Sequence, residues 1–292
     1  MSEMKYELTV KSDTTARTFK SAALAVVFSV LFASGAPVVS AHDGLHEQVA
    51  ELSARLRQDP RNASLYLKRG ELYRLHREWR RAAADYDRAA RLDPRLAAVD
   101  FARGRMLFEA GRARVAKSAL DRFLRAEPGH AEALTTRARV LVRLGRREEA
   151  VQDFTRALAL APEPDLFVER AAVLAAAGGS HTREALGGLD EGVARYGPLV
   201  TLQLPAIELE LRAGRYDAAL ARLDTVAAQT PRRESWLARR GDILLRAGRT
   251  GEARAAYAAA LAALETLPAP RRRTRAVAEL EARVRAALVK KR

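Results

Sequence analysis

One spacing constrains this chain more than any other property: residues of several chemical types recur every 34 positions. Pro60, Pro94, Pro128 and Pro162 keep that step, as do Ala82, Ala116 and Ala150, the pair Gly70 and Gly104, and the pair Gly111 and Gly145. A fixed period of roughly 20 to 50 residues marks stacked supersecondary units, none of which can bury its apolar face alone. Within each unit the apolar residues fall at helical spacing. A Gly-Arg or Arg-Glu break divides two helices, and an Asp-Pro, Glu-Pro or Ala-Pro closes the second. The unit is predicted to be a helical hairpin.

Composition agrees with a helical reading. Of the 292 residues, 48% are apolar, 30% charged and only 6% aromatic, and the abundant alanine, leucine and arginine cost little side-chain entropy in a helix. Such a chain folds rather than remaining disordered. The absence of cysteine excludes disulfides, thiolate metal sites, a cysteine nucleophile and a cysteine-linked lipid anchor.

The units resemble the tetratricopeptide repeat family, whose pattern places a large residue at position 4, Leu-Gly at 7 and 8, Tyr at 11, Ala at 20, Tyr or Phe at 24, Ala at 27 and Pro at 32. The unit from Ala63 carries Tyr66, Gly70, Tyr73, Ala82, Tyr86, Ala89 and Pro94, and departs at Arg69. The unit from Ala97 carries Gly104, Leu107, Ala116, Leu120 and Pro128. The unit from Ala131 carries Leu134, Ala138, Leu141, Ala150, Phe154, Ala157 and Pro162. A degenerate unit from Asp165 keeps Ala172 and needs one extra residue in its Gly178-Gly179-Ser180-His181 turn. The unit from Val200 keeps Gly214, Tyr216, Ala219, Leu223 and Pro231 but has the bulky Ile207 at the small position. The unit from Glu234 has Gly241, Leu244, Gly248, Ala253, Tyr257 and Ala260, with Trp236 one place before the expected large residue. The resemblance implies an all-α, right-handed superhelical solenoid of helix-turn-helix hairpins, spanning 63–267 as 63–96, 97–130, 131–164, 165–199, 200–233 and 234–267.

A solenoid needs polar-faced ends. An amino-terminal capping helix is expected within 42–62, with the stripe Leu45, Val49, Leu52 and Leu56. A carboxyl-terminal one is expected within 268–292, where Val277, Leu280, Val284 and Leu288 lie opposite the solvated Glu279, Arg283 and Arg285.

Residues 1–41 read as a secretory signal. Ser21 to Ala41 carries no charge, Lys5, Lys11, Arg17 and Lys20 precede it, and Val39-Ser40-Ala41 offers small residues for cleavage. The strongly apolar part, Ala22 to Ala33, falls short of the ~20 residues of a permanent span. The expected location is the periplasm, with an uncleaved inner-membrane anchor as the alternative.

In the family, positions 2, 5, 9, 12 and 13 of the first helices line a concave ligand groove. The resemblance places Leu67, Glu71, Arg74, Phe101, Arg105, Phe108, Thr135, Arg139 and Arg143 there, a basic stretch with two exposed-looking aromatics. The later units add Glu169, Glu208, Arg212, Asp242 and Arg246. Arg105, Arg139 and Arg143 are candidates to hold carboxylates of a peptide by bidentate hydrogen bonds, with Phe101 and Phe108 in apolar contact. The competing reading pairs these arginines with Glu71, Glu109 or Glu132 on a solvated face. Leu67 and Glu71 occupy places of the family's chaperone-tail clamp and disfavour that ligand.

No Ser-His-Asp order, phosphate loop, HExxH or paired-carboxylate site stands out, so no enzyme is expected. No cofactor is assigned. His42 and His46 stand four residues apart near the expected mature terminus, and no metal site is assigned to them. The formal charge of +15 is spread through all units with few aromatics, so nucleic acid is not expected as a partner. Arg271-Arg272-Arg273 and Lys290-Lys291-Arg292 are the dense basic runs. The expected function is a noncatalytic scaffold of the bacterial envelope that binds an unidentified protein or peptide in its groove. The alternative is peripheral contact with an anionic membrane or polysaccharide through distributed arginine charge. The oligomeric state stays open.

Overall fold

The structure, a computed structural model, describes residues 41–230 and 232–289. Residues 1–40 of the expected signal, the closing Pro231 and Lys290-Lys291-Arg292 lie outside the described residues. So does the side chain of His42.

Among the described residues every regular element is an α-helix. The lone α1 (Ala41–Gln58) precedes six hairpins: α2 (Ala63–Leu75) with α3 (Trp79–Leu92), α4 (Ala98–Glu109) with α5 (Ala113–Ala126), α6 (Ala131–Arg143) with α7 (Arg147–Leu160), α8 (Pro164–Ala177) with α9 (His181–Tyr196), α10 (Val200–Arg212) with α11 (Tyr216–Ala228), and α12 (Glu234–Arg246) with α13 (Thr250–Glu265). The short α14 (Ala269–Arg272) and α15 (Arg275–Val289) follow. This is the all-α solenoid that the resemblance implies. None of these helices is long and apolar enough to cross a membrane.

The repeated small and large residues explain the stacking. Ala82, Ala116, Ala150, Ala185, Ala219 and Ala253 are all buried, and so are the residues four places on: Tyr86, Leu120, Phe154, Leu189, Leu223 and Tyr257. An alanine lets two backbones approach, and the larger side chain one turn later fills the space left. Gly70 and Gly241 take this further. A Cβ on either would sit 2.5 Å from the ring of Tyr86 or Tyr257, closer than carbon atoms tolerate. The core is accordingly a relay of neighbouring clusters rather than one centre. α1 adds Leu52 and Leu56 at one end, and α15 adds Val277 and Val284 at the other.

The hairpin turns share a left-handed residue. Gly111, Gly145, Gly214 and Gly248 have φ between 71° and 77°, whereas the first hairpin places Arg77 there at φ 58°, a conformation that disfavours any residue with a Cβ. The fourth hairpin differs from the expected register. Ala172 is exposed, and Ala171, 1% exposed, is the small residue packed in the core, because α8 starts at Pro164, whose fixed φ suits the first helical turn. Ile207 is fully buried without displacing its neighbours Ala206 and Leu223 from the core.

The departure at Arg69 proves periodic. Arg69, Arg103, Arg137 and Arg240 occupy the same unit position, and each reaches an aspartate 16 residues away: Asp85, Asp87, Asp153 and Asp224. Arg137 holds two, donating to Asp153 of its own hairpin at 2.7 and 2.8 Å and to Asp121 of the preceding one at 2.9 Å. Asp85 and Asp153 are buried, so these guanidiniums satisfy acids that water cannot reach.

Candidate functional site

Successive first helices lie side by side, α2 against α4, α4 against α6 and α8 against α10, so their outward positions form one row. Along it, charges pair between hairpins. Arg74, only 6% exposed, donates to Glu71 of its own helix and to Glu109 of α4. Arg105 donates to Glu132 of α6 at 3.0 Å and lies 3.9 Å from Glu71. Arg139 forms a two-pronged pair with Glu169 of α8 at 2.9 and 2.7 Å, and that bonding holds its guanidinium pKa above the usual value despite partial burial. The row continues with Arg239 on Glu208 and Arg283 on Asp242.

The aromatic residues of the row face inward more than the sequence suggests. Phe101 stacks on Phe123 at 5.1 Å and leans on His130 at 5.0 Å, while His130 also caps α6 by accepting from the Ala133 amide. Phe108 is half-buried with Arg143 over its ring at 5.6 Å, and Arg105 lies 5.3 Å over Phe101. Leu67 is half-buried and packed in the first cluster, and Thr135 is buried. The structure therefore joins Glu71, Arg74 and Arg105 in one network, and Phe101 to Arg105 and Phe108 to Arg143. Arg139 stands apart with Glu169.

The carboxyl-terminal half of the row is more open. A cavity of about 460 Å³ lies between α10, α12 and α15, walled by Leu211, Trp236 and Ile243 with Glu208, Asp242, Arg239, Arg246 and Arg283 at its polar sides. A second, of about 360 Å³, runs between α8 and α10 over alanines and Pro205 and ends at Glu208 and Arg212. The sequence reading missed Trp236, Arg239 and Arg283 as wall residues. Trp236 was visible as the large residue one place out of pattern. Arg283 is exposed, as expected of the cap, and also donates to Asp242 at 2.6 Å, because α15 packs its apolar stripe against α13 and brings this edge over α12. No group of three or more metal-ligating side chains occurs among the described residues.

The comparisons with known proteins agree with this architecture. A tetratricopeptide repeat model matches residues 101–163 and 135–197, and a tetratricopeptide repeat-like domain model matches 189–277. The chain belongs to the tetratricopeptide repeat family. Among solved structures it is similar to YrrB, described as a tetratricopeptide repeat protein with an unusual peptide-binding site (TM-score 0.52, 22% identity, 62% of this chain and 92% of that one). It is also similar to a tetratricopeptide repeat protein of Parabacteroides merdae (0.52, 20%, 84% and 93%) and to the C-terminal part of a repeat protein of Cytophaga hutchinsonii (0.59, 10%, 68% and 79%). At these identities the likeness is one of fold. No curated protein matches the chain significantly.

Proposed function

We propose that the chain is a noncatalytic scaffold, exported to the periplasm by a cleavable signal in residues 1–41, whose row of first helices holds a segment of another protein. The observation that carries this reading is the inter-hairpin pairing. Arg74 with Glu109, Arg105 with Glu132 and Arg139 with Glu169 fix adjacent first helices in place before any partner arrives, so binding needs little ordering of the scaffold. The peptide-binding description of YrrB supports a peptide or protein partner over a small molecule. Fold alone does not name the partner.

The test is crosslinking and affinity capture from native envelope fractions with the mature protein beside a variant with Arg105, Arg139 and Arg143 reversed to glutamate. A discrete protein retained at physiological salt and lost in the variant is expected. Recovery of lipid or polysaccharide, equal in both samples and abolished by salt, overturns the scaffold reading. The export half is checked by the intact mass of the chain produced in a Gram-negative host. Loss of residues 1–41 is expected, and an unprocessed chain in the membrane fraction contradicts it.

A further inference from the structure

The arginines of the first helices are almost all spoken for. Arg69, Arg74, Arg103, Arg105, Arg137, Arg139, Arg170, Arg239 and Arg240 each reach a carboxylate, and Arg143 lies on Phe108. Arg212 and Arg246 have neither kind of partner among the described residues, and both are exposed. They occupy the same place in consecutive hairpins, the last residue of α10 and of α12, and each borders one of the two cavities that meet at Glu208.

Charge and shape then point to one kind of occupant. Around the larger cavity three arginines face two acids, and the two acids are already taken by Arg239 and Arg283. The net positive charge offered to a ligand is that of Arg246, with Arg212 beyond Glu208. Beside it the half-buried Trp236 forms an apolar wall of the cavity. A basic ligand would meet two unscreened cations and no free acid; a wholly polar one would desolvate Trp236 and Leu211 for nothing.

We propose that the specificity pocket of this protein lies between α10, α12 and α15, and that it takes an acidic peptide segment carrying one large apolar side chain. The apolar side chain fills the space against Trp236 and Leu211, and neighbouring carboxylates accept hydrogen bonds from Arg246 and Arg212. This rests on the scaffold reading and moves its centre from Arg105 and Arg139, whose charge is balanced by Glu132 and Glu169, and from Arg143, exposed but seated on the Phe108 ring, to the carboxyl-terminal end.

The test is selection of a random peptide display library on the immobilised chain, followed by titration of recovered peptides against Trp236 fluorescence in a Trp79→Phe background. Expected are peptides joining an aromatic or large aliphatic residue to Asp or Glu. Their affinity should fall about tenfold or more in Arg212→Glu/Arg246→Glu, as loss of charge-assisted hydrogen bonds implies, and also in Trp236→Ala, which has no tryptophan signal and is titrated by the anisotropy of dye-labelled peptide. Because both arginines end helices and complement the helix dipole, Arg246→Gln is measured with them, and thermal melts verify that each variant folds. Neutral or basic peptides, or affinities unmoved by these changes, overturn the inference. Loss on reversing Arg105, Arg139 and Arg143 with Arg246 irrelevant overturns the inference and leaves the scaffold reading standing. A library that yields no binder counts against both.

Discussion

The hydroxyl of Tyr86 donates to the carboxylate of Glu71 while its ring lies beneath Gly70, and Tyr257 repeats the arrangement with Asp242 and Gly241 in the last hairpin. The second and third hairpins differ. Leu120 and Phe154 carry no hydroxyl, and the residue in the acid's place is Arg105 or Arg139. A buried hydroxyl needs an acceptor, so each tyrosine requires its acid; the converse does not hold, since Glu208 stands in the acid's place opposite the buried Leu223 of the fifth hairpin.

Both phenols have raised pKa values, chiefly through burial and then through the hydrogen bond to the acid; that of Tyr257 is pushed up to about 12 and that of Tyr86 further. In the unfolded chain a tyrosine titrates near 10. The unfolded state therefore loses these protons first, and stability should fall as pH rises from about 10 toward 12. Chemical unfolding across that range is expected to show the fall, and Tyr86→Phe/Tyr257→Phe to flatten it. An equal slope in the variant contradicts the assignment.

Gly241→Ala should destabilise the protein by about 1–3 kcal/mol, since the added methyl meets the Tyr257 ring at 2.5 Å and must displace it. Gly251→Ala, on the same hairpin with nothing within 4 Å of the new Cβ, should stabilise by about 0.5–1 kcal/mol through helix propensity. Urea denaturation of the two variants checks the difference in sign.

Arg77→Gly should raise stability by roughly 0.5–1 kcal/mol, because it removes a Cβ from a left-handed turn that four other hairpins give to glycine. A lower melting temperature would show that the arginine side chain outweighs the backbone strain.

Arg137→Ala should cost about 2–4 kcal/mol, since it removes both hydrogen bonds from the guanidinium to Asp153, whose side chain is 5% exposed, and leaves only Arg156 at 3.9 Å. Arg275→Ala, which breaks the exposed pair with Glu279, should cost about 0.5 kcal/mol or less. Thermal melts of the two variants test whether burial, rather than the number of ion pairs, sets their worth.

The local pattern carried most of this architecture. The 34-residue period exposed the helix-turn-helix unit because small and large residues at fixed offsets are what close helix packing requires, and a sequence cannot satisfy that requirement without displaying it. The Arg69 position shows where reading by pattern stops. Set against the family it was a departure, yet Arg103 and Arg137 already stood at the same step, and only the packed helices showed that these arginines answer aspartates 16 residues away, buried in the case of Asp85 and Asp153. Ala172 shows a second limit. A one-residue shift in the start of α8 exchanges exposed and buried alanines without changing composition.

By itself, then, the sequence determined the kind of unit and the glycines of its turns, since these follow from interactions within about one period of the chain. The tertiary structure decided which charges remain available. Whether an arginine is free depends on carboxylates of neighbouring hairpins and of α15: Arg105 finds Glu132, Arg139 finds Glu169, Arg283 finds Asp242, and Arg246 finds none among the described residues. That matching is set by how far one hairpin is rotated on the next, a property of packed surfaces that no stretch of sequence states.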